Sequence, residues 1–212
     1  MHSMTQYKKY PRSLTQFKTS NYVPGDHFTI PKKWDNFTMH APLWKQTLDH
    51  FFAGGKDLKF LELGSGNGLC ANYMLDNYDC HVDTIDIDEN HIVPEANESY
   101  IVSTISNLQP FISAGRCTFH HTTTKEFLLA NQDKQYDFIY VDASHDREWV
   151  LYDAVNAFPL LKDDGLMIFD DYGMKDCKKG VDAFLSCFDK FVEIFYVDWQ
   201  LMLRKKQNLQ TQ

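Results

Sequence analysis

Acidic side chains stand where three apolar runs of this chain end, and they carry most of the chemistry that can be read from it. Asp142 closes Tyr136-Asp137-Phe138-Ile139-Tyr140-Val141, and Asp170 with Asp171 closes Leu166-Met167-Ile168-Phe169. If both runs are neighbouring strands, three carboxylates face one crevice and repel one another unless a cation neutralises them. Hard oxygen donors without thiolates or paired imidazoles favour Mg2+, with Ca2+ or Mn2+ as substitutes and zinc disfavoured. His145 follows in Asp142-Ala143-Ser144-His145-Asp146. An imidazole titrating near neutrality in that loop suits removal of a proton from a substrate hydroxyl. Each residue also has an ordinary reading: His145 as a helix cap, Asp170-Asp171 as the start of a turn. Their joint placement at strand ends argues for a site.

The other informative stretch is Lys59-Phe60-Leu61-Glu62-Leu63-Gly64-Ser65-Gly66-Asn67-Gly68, a short buried strand running into a glycine turn that opens a helix. Such a turn offers backbone N–H groups and the positive end of a helix dipole to a ligand. The dinucleotide pattern G-x-G-x-x-G is absent, because the glycines fall at 64, 66 and 68 and residue 69 is leucine. Glu62 also suits a pyrophosphate poorly; a ligand with an amino group, a carboxylate and a sulfonium fits the mixture better. Asp86 lies 22 residues past Gly64, the distance at which an acid can accept hydrogen bonds from a ribose diol. Asp88 and Glu89 compete with it, and a solvated acidic loop is the bland alternative.

The glycine stretch resembles the first motif of class I S-adenosylmethionine-dependent methyltransferases, E/D-x-G-x-G-x-G. The resemblance implies that Glu62, Gly64, Ser65, Gly66 and Gly68 hold the methionine part, and that Asp86 with Ile87 holds the ribose. It also implies that Thr122 and Thr123 lie beside the adenine, where relatives often carry an acid or serine. The second half is similar to the metal-dependent small-molecule O-methyltransferases of the methyltransferase 24 type, which include macrocin-like enzymes. The residues concerned are Asp142-Ala143-Ser144-His145, Asp153, Gly165 through Asp171, and Gly180-Val181-Asp182-Ala183-Phe184. Catechol-type enzymes carry lysine in place of His145 and Asp-Asn in place of Asp170-Asp171. By this resemblance Asp142, Asp170 and Asp171 are metal ligands, Asp142 and His145 act in catalysis with His145 as general base, and Mg2+ joins S-adenosylmethionine as cofactor. Asp153, mid-helix, reads as a structural partner.

The elements that must position these residues alternate. A helix spans 42–52. Strands at 59–63, 81–88, 117–121, 136–141 and 166–169 interleave with helices after 68, over about 94–113, at 125–129, over 146–161 and over 179–188. Two closely spaced runs, 191–197 and 199–203, must pair as an antiparallel hairpin. This predicts an α/β fold: a Rossmann-like doubly wound seven-stranded sheet, mostly parallel with an antiparallel C-terminal hairpin. His120 and His121 read as strand-end polar groups.

The net charge is −8 over 212 residues, yet residues 1–33 hold six cations against Asp26 alone, net +5, leaving −13 for the rest. The division expected is a basic N-terminal arm over 1–41, a candidate lid, and a methyltransferase domain over 42–212. The acidic balance argues against a general nucleic-acid binder. A small hydroxylated acceptor is the expected partner, with a homo-oligomer left open. An RNA or protein acceptor presented by the arm, or a non-catalytic binding module, are the rival readings. No apolar run is long enough for a bilayer and the start lacks a signal-peptide core. Five cysteines without C-x-x-C spacing read as reduced thiols, which makes the cytoplasm the expected compartment.

Overall fold

The computed structural model describes residues 22–28, 37–87, 92–93 and 98–207. Most of the basic arm, together with Asp88 and Glu89, lies outside the described residues. The chain runs α1 (Ala41–Phe52), β1 (Leu58–Leu63), α2 (Leu69–Asn77), β2 (Cys80–Asp86), β3 (Ile92–Val93), β4 (Glu98–Ser99) and α3 (Tyr100–Ser113). It continues β5 (Cys117–His121), α4 (Thr124–Ala130), β6 (Tyr136–Val141), α5 (Arg147–Ala157), β7 (Leu161–Phe169), α6 (Lys175–Phe188), β8 (Val192–Val197) and β9 (Leu201–Lys205).

Seven strands form one sheet in the order β5-β2-β1-β6-β7-β9-β8, with β3 and β4 a separate pair. The pairs from β5 to β7 are parallel, and β9 is antiparallel to both neighbours. The central strands are buried on both faces because helices cover both sides, which is why β1, β6 and the end of β7 read as nearly continuous apolar sequence. Helix α6 shows the matching pattern: Cys177, Gly180, Val181, Phe184 and Leu185 are buried at helical spacing. On the opposite face Trp44 is fully buried and meets Phe37, Phe138 and Tyr140 edge-on at 4.8, 5.0 and 4.8 Å. Each such aromatic pair adds ~1 kcal/mol to area burial.

Several boundaries depart from the sequence expectation: the helix expected over 146–161 ends at Ala157, and the one expected from 179 starts at Lys175. The helix expected from about residue 94 starts at Tyr100, and Glu98–Ser99 instead pairs with Ile92–Val93. Pro94 disfavours helix at the residue before it. Residues 162–165, expected to lie outside a strand, belong to β7 as a bulge: Tyr136 pairs with Leu161 and Phe138 with Leu166. Asp164 takes a left-handed φ of 64° there and is ion-paired to Arg204 of β9, a partner that local periodicity does not reveal.

Tyr22 to Phe28, one described part of the arm, docks on α2. The Tyr22 hydroxyl donates to Asp76 at 2.6 Å, His27 bonds buried Asn72 at 3.0 Å, and Phe28 is buried.

Across the sheet, Asp83 of β2 is a polar hub. It accepts from Tyr136 at 2.7 Å, His120 at 2.8 Å and Lys134 at 2.9 Å. Although burial alone would raise its pKa, these donors hold it well below the usual carboxylate range. His120 is thus a structural partner, as the sequence indicates.

Candidate active site

Gly64 leaves β1 where the strand order reverses between β1 and β6. Its φ is 95°, and a Cβ there would lie 2.0 Å from the Asp142 carbonyl oxygen and 2.8 Å from Ala143 Cα. Only glycine lets the two strand exits touch, and this contact joins the glycine turn and the carboxylates in one crevice.

The turn is fixed from two sides. Toward β2, the N–H groups of Gly64 and Ser65 donate to Ile85 O at 2.9 and 3.1 Å. Gly66 N–H donates to Asp86 Oδ2 at 2.9 Å, and Ile87 N–H donates to Asp86 Oδ1 at 2.7 Å. Each carboxylate oxygen can accept more than one bond. From α3, Thr104 donates its hydroxyl to Gly66 O and Asn107 its amide to Asn67 O at 3.0 Å. Gly68 caps α2 in the left-handed region. Sequence reasoning did not single out Thr104 and Asn107; their three-residue spacing on one helix face was the available signal.

Beneath the turn, Ser65 and Thr84 share a hydroxyl hydrogen bond at 2.6 Å, and Thr84 donates to Glu62. Glu62 is 1% exposed. Burial pushes its pKa up to about 8, against donors from Thr84, Cys70 and the Ala71 N–H. Thr122 and Thr123 lie at the start of α4. Thr123 accepts from Glu126 N–H at 3.1 Å, and both hydroxyls donate to the Glu126 carboxylate at 2.8 and 2.9 Å. The next threonine, Thr124, donates to buried Asp153 at 2.7 Å, whose pKa burial raises to about 6.

On the acidic side the sheet ladder runs one residue further. Asp142 N–H donates to Leu63 O at 2.8 Å and Asp170 N–H to Val141 O at 3.1 Å, which sets the two carboxylates side by side. Donor atoms of Asp142, His145 and Asp171 lie within 4.8 Å of one another. His145 caps nothing: Asp146 is the N-cap of α5, and the imidazole Nε2 meets Asp171 Oδ2 at 2.9 Å. Asp171 holds a left-handed φ of 50°, a conformation costing a non-glycine residue on the order of 1 kcal/mol. Asp170 accepts from Gln200 Nε2 at 2.7 Å, and Asp171 Oδ1 accepts from Trp199 Nε1 at 3.0 Å.

Burial, then the charges of Asp170, Asp171 and Glu62, push the Asp142 pKa well up. Burial and Asp171 raise Asp170, partly offset by the Gln200 donor. Hydrogen bonding to His145 lowers Asp171 and raises His145. His40, just before α1, feels the charges of Asp170 and Asp171, while burial holds its pKa down. Sequence reasoning missed His40, Tyr140, Trp199 and Gln200. Two oxygens and a nitrogen within one ion's reach, in a cluster whose repulsion a cation would relieve, fit a divalent ion such as Mg2+ or Mn2+.

A family model described as "Methyltransferase domain" matches residues 61–172. No curated protein sequence matches the chain significantly. Among solved structures, the chain is similar to an O-methyltransferase from Bacillus cereus in complex with SAH, at TM-score 0.62 and 14% identity over 86% of this chain and 84% of that one. The O-methyltransferase NovP matches at TM-score 0.60 and 18% identity over 80% and 81%. A Staphylococcus aureus structure described as a candidate caffeoyl-CoA O-methyltransferase matches at 0.57 and 21% over 80% and 83%. At these identities the likeness establishes the fold.

Proposed function

We propose that this chain, which belongs to the Methyltransferase domain family, moves a methyl group from S-adenosylmethionine to a hydroxyl oxygen of a small molecule. The observation that carries the reading is the grouping of Asp142, His145 and Asp171 donor atoms within 4.8 Å, joined to the glycine turn through Gly64. The sulfonium of S-adenosylmethionine supplies an activated methyl group, so the protein's tasks are alignment and deprotonation. The glycine turn gives the methionine part close access to the backbone, and Asp86, whose oxygens can each accept a bond beyond those from Gly66 and Ile87, accepts from the ribose hydroxyls. Asp142 and Asp171 of that 4.8 Å group would hold Mg2+, joined by Asp170, which lies beside Asp142 but outside the group; the ion when bound lowers the pKa of the acceptor hydroxyl and fixes its oxygen. His145 takes the hydroxyl proton on its imidazole, with Asp171 orienting the ring. Five free thiols, four of them buried, suit a reducing compartment, and we assign the chain to the cytoplasm. Among the described residues no helix is long and apolar enough to cross a membrane.

Calorimetric titration with S-adenosylmethionine, with and without Mg2+ and beside Asp86→Ala, tests the reading. Micromolar binding that falls at least about tenfold in the variant supports it and licenses an acceptor screen in Mg2+ against EDTA. No binding by folded protein overturns it.

A further inference from the structure

We propose that Trp199 and Gln200, at the tip of the β8–β9 hairpin, are positioning residues that hold Asp171 and Asp170 in the arrangement a divalent cation needs. The inference rests on the metal-assisted reading above. Gln200 is 1% exposed and lies between three groups. Its Oε1 accepts from Trp44 Nε1 at 2.9 Å, while its Nε2 donates to Asp170 Oδ1 at 2.7 Å and reaches the Tyr140 hydroxyl at 3.4 Å. An indole N–H only donates and a carboxylate only accepts, so this amide has a single orientation. Trp44 is fully buried in the aromatic core, which anchors Asp170 through Gln200 to α1.

Trp199 fastens the neighbouring carboxylate by a separate route. Its Nε1 donates to Asp171 Oδ1, leaving Oδ2 to His145. Its ring lies on Gly173, where a Cβ would come within 2.5 Å of ring carbon Cε3, and Gly173 N–H donates to Trp199 O at 3.1 Å. The loop after Asp171 and the hairpin tip are thus joined by a ring contact and two hydrogen bonds. Asp198 N–H, donating to Gln200 O at 2.9 Å, keeps the tip tight.

The donors chosen are neutral. Neither the Gln200 amide nor the Trp199 indole carries a charge. Among the described residues no lysine or arginine forms an ion pair with Asp142, Asp170 or Asp171. Neutral donors orient a carboxylate without cancelling its charge, and the charge is what attracts a cation. Outer partners of metal-bound carboxylates act in this way.

The test is Mn2+ affinity of the full chain, read by calorimetry and electron paramagnetic resonance, with S-adenosylmethionine affinity and Tm measured in parallel. Trp199→Phe removes the indole N–H and part of the ring that lies on Gly173; Gln200→Met keeps the volume and removes the amide, both its donor to Asp170 and its acceptor for Trp44. Each variant is expected to weaken Mn2+ binding about 10- to 100-fold with S-adenosylmethionine affinity unchanged. Wild-type-like Mn2+ affinity in both folded variants overturns the positioning role and leaves the metal reading standing. A wild type that binds S-adenosylmethionine but no Mn2+ overturns both. Equal losses in Mn2+ and S-adenosylmethionine binding would mean general damage, and would also overturn the role.

Discussion

At Asp83 one carboxylate meets a lysine, an imidazole and a phenol, whereas of Asp142, Asp170 and Asp171 only Asp171 is ion-paired, to the imidazole of His145. The two clusters lie in the same sheet, and apart from Asp171, which His145 holds down, their acids shift in opposite directions. Asp83 is held well down; Asp142 and Asp170 are pushed up. Fully compensated burial is what a structural group shows, since its partners were chosen for the folded protein alone. Uncompensated repulsion survives in a marginally stable fold only where something outside the chain relieves it.

The sharpest way to break this contrast is Asp142→Asn. It removes one of the repelling charges and one of the proposed cation ligands, so turnover should fall about 1000-fold, roughly 4 kcal/mol of barrier, while Tm rises. A variant that loses stability together with activity would place Asp142 in the same class as Asp83. Asp83→Ala should do the reverse. Leaving Lys134, His120 and Tyr136 without their shared acceptor should cost about 3 kcal/mol in urea unfolding, with S-adenosylmethionine affinity of the folded protein retained.

A pH series sharpens the contrast further. Glu62 titrates near 8 in the folded chain against an ordinary 4.5, so its stabilising contribution is complete below 4.5 and is lost as pH rises through about 8. Asp142 and Asp170 shift in the same direction. Asp83 shifts the other way, so its contribution is present above 3.8 and disappears only in acid. The metal-free protein should therefore lose a few degrees of Tm between about pH 5 and pH 8, and Mn2+ should restore them. A Tm that climbs steadily over that window would contradict the uncompensated cluster. The smallest effect is expected from Thr123→Ala: loss of the α4 cap should cost about 1 kcal/mol and leave S-adenosylmethionine affinity within about twofold, or 0.4 kcal/mol. A larger loss of affinity would show that Thr123 contacts the cofactor as well as capping α4.

What could be read from the sequence was whatever local pattern encodes. Glycines at 64, 66 and 68 and acids closing apolar runs survive translation into structure because strand ends and turns are short-range facts. The capping box at the threonine run is legible too, since Thr123 precedes Glu126 by three residues. Gln200 could not be foreseen: its bond to Trp44 joins residues 156 apart, and no periodicity marks the amide as buried. The same holds for Asp83, whose partners arrive from β5, the loop before β6, and β6 itself.

The insertion of β9 between β7 and β8 also orders events as the chain is made. Strand β8 pairs with β9 alone, so when Val192–Val197 leaves the ribosome it has no neighbour in the sheet until Leu201–Lys205 follows. The glycine turn and its partners in β2 and α3 are complete long before that. Nascent chains arrested before residue 199 therefore carry the glycine turn and the carboxylates of Asp142, Asp170 and Asp171 but lack the Trp199 and Gln200 donors that hold two of them. The last stretch of chain to be made thus supplies the sheet's edge and, with it, the neutral donors of a carboxylate cluster made earlier.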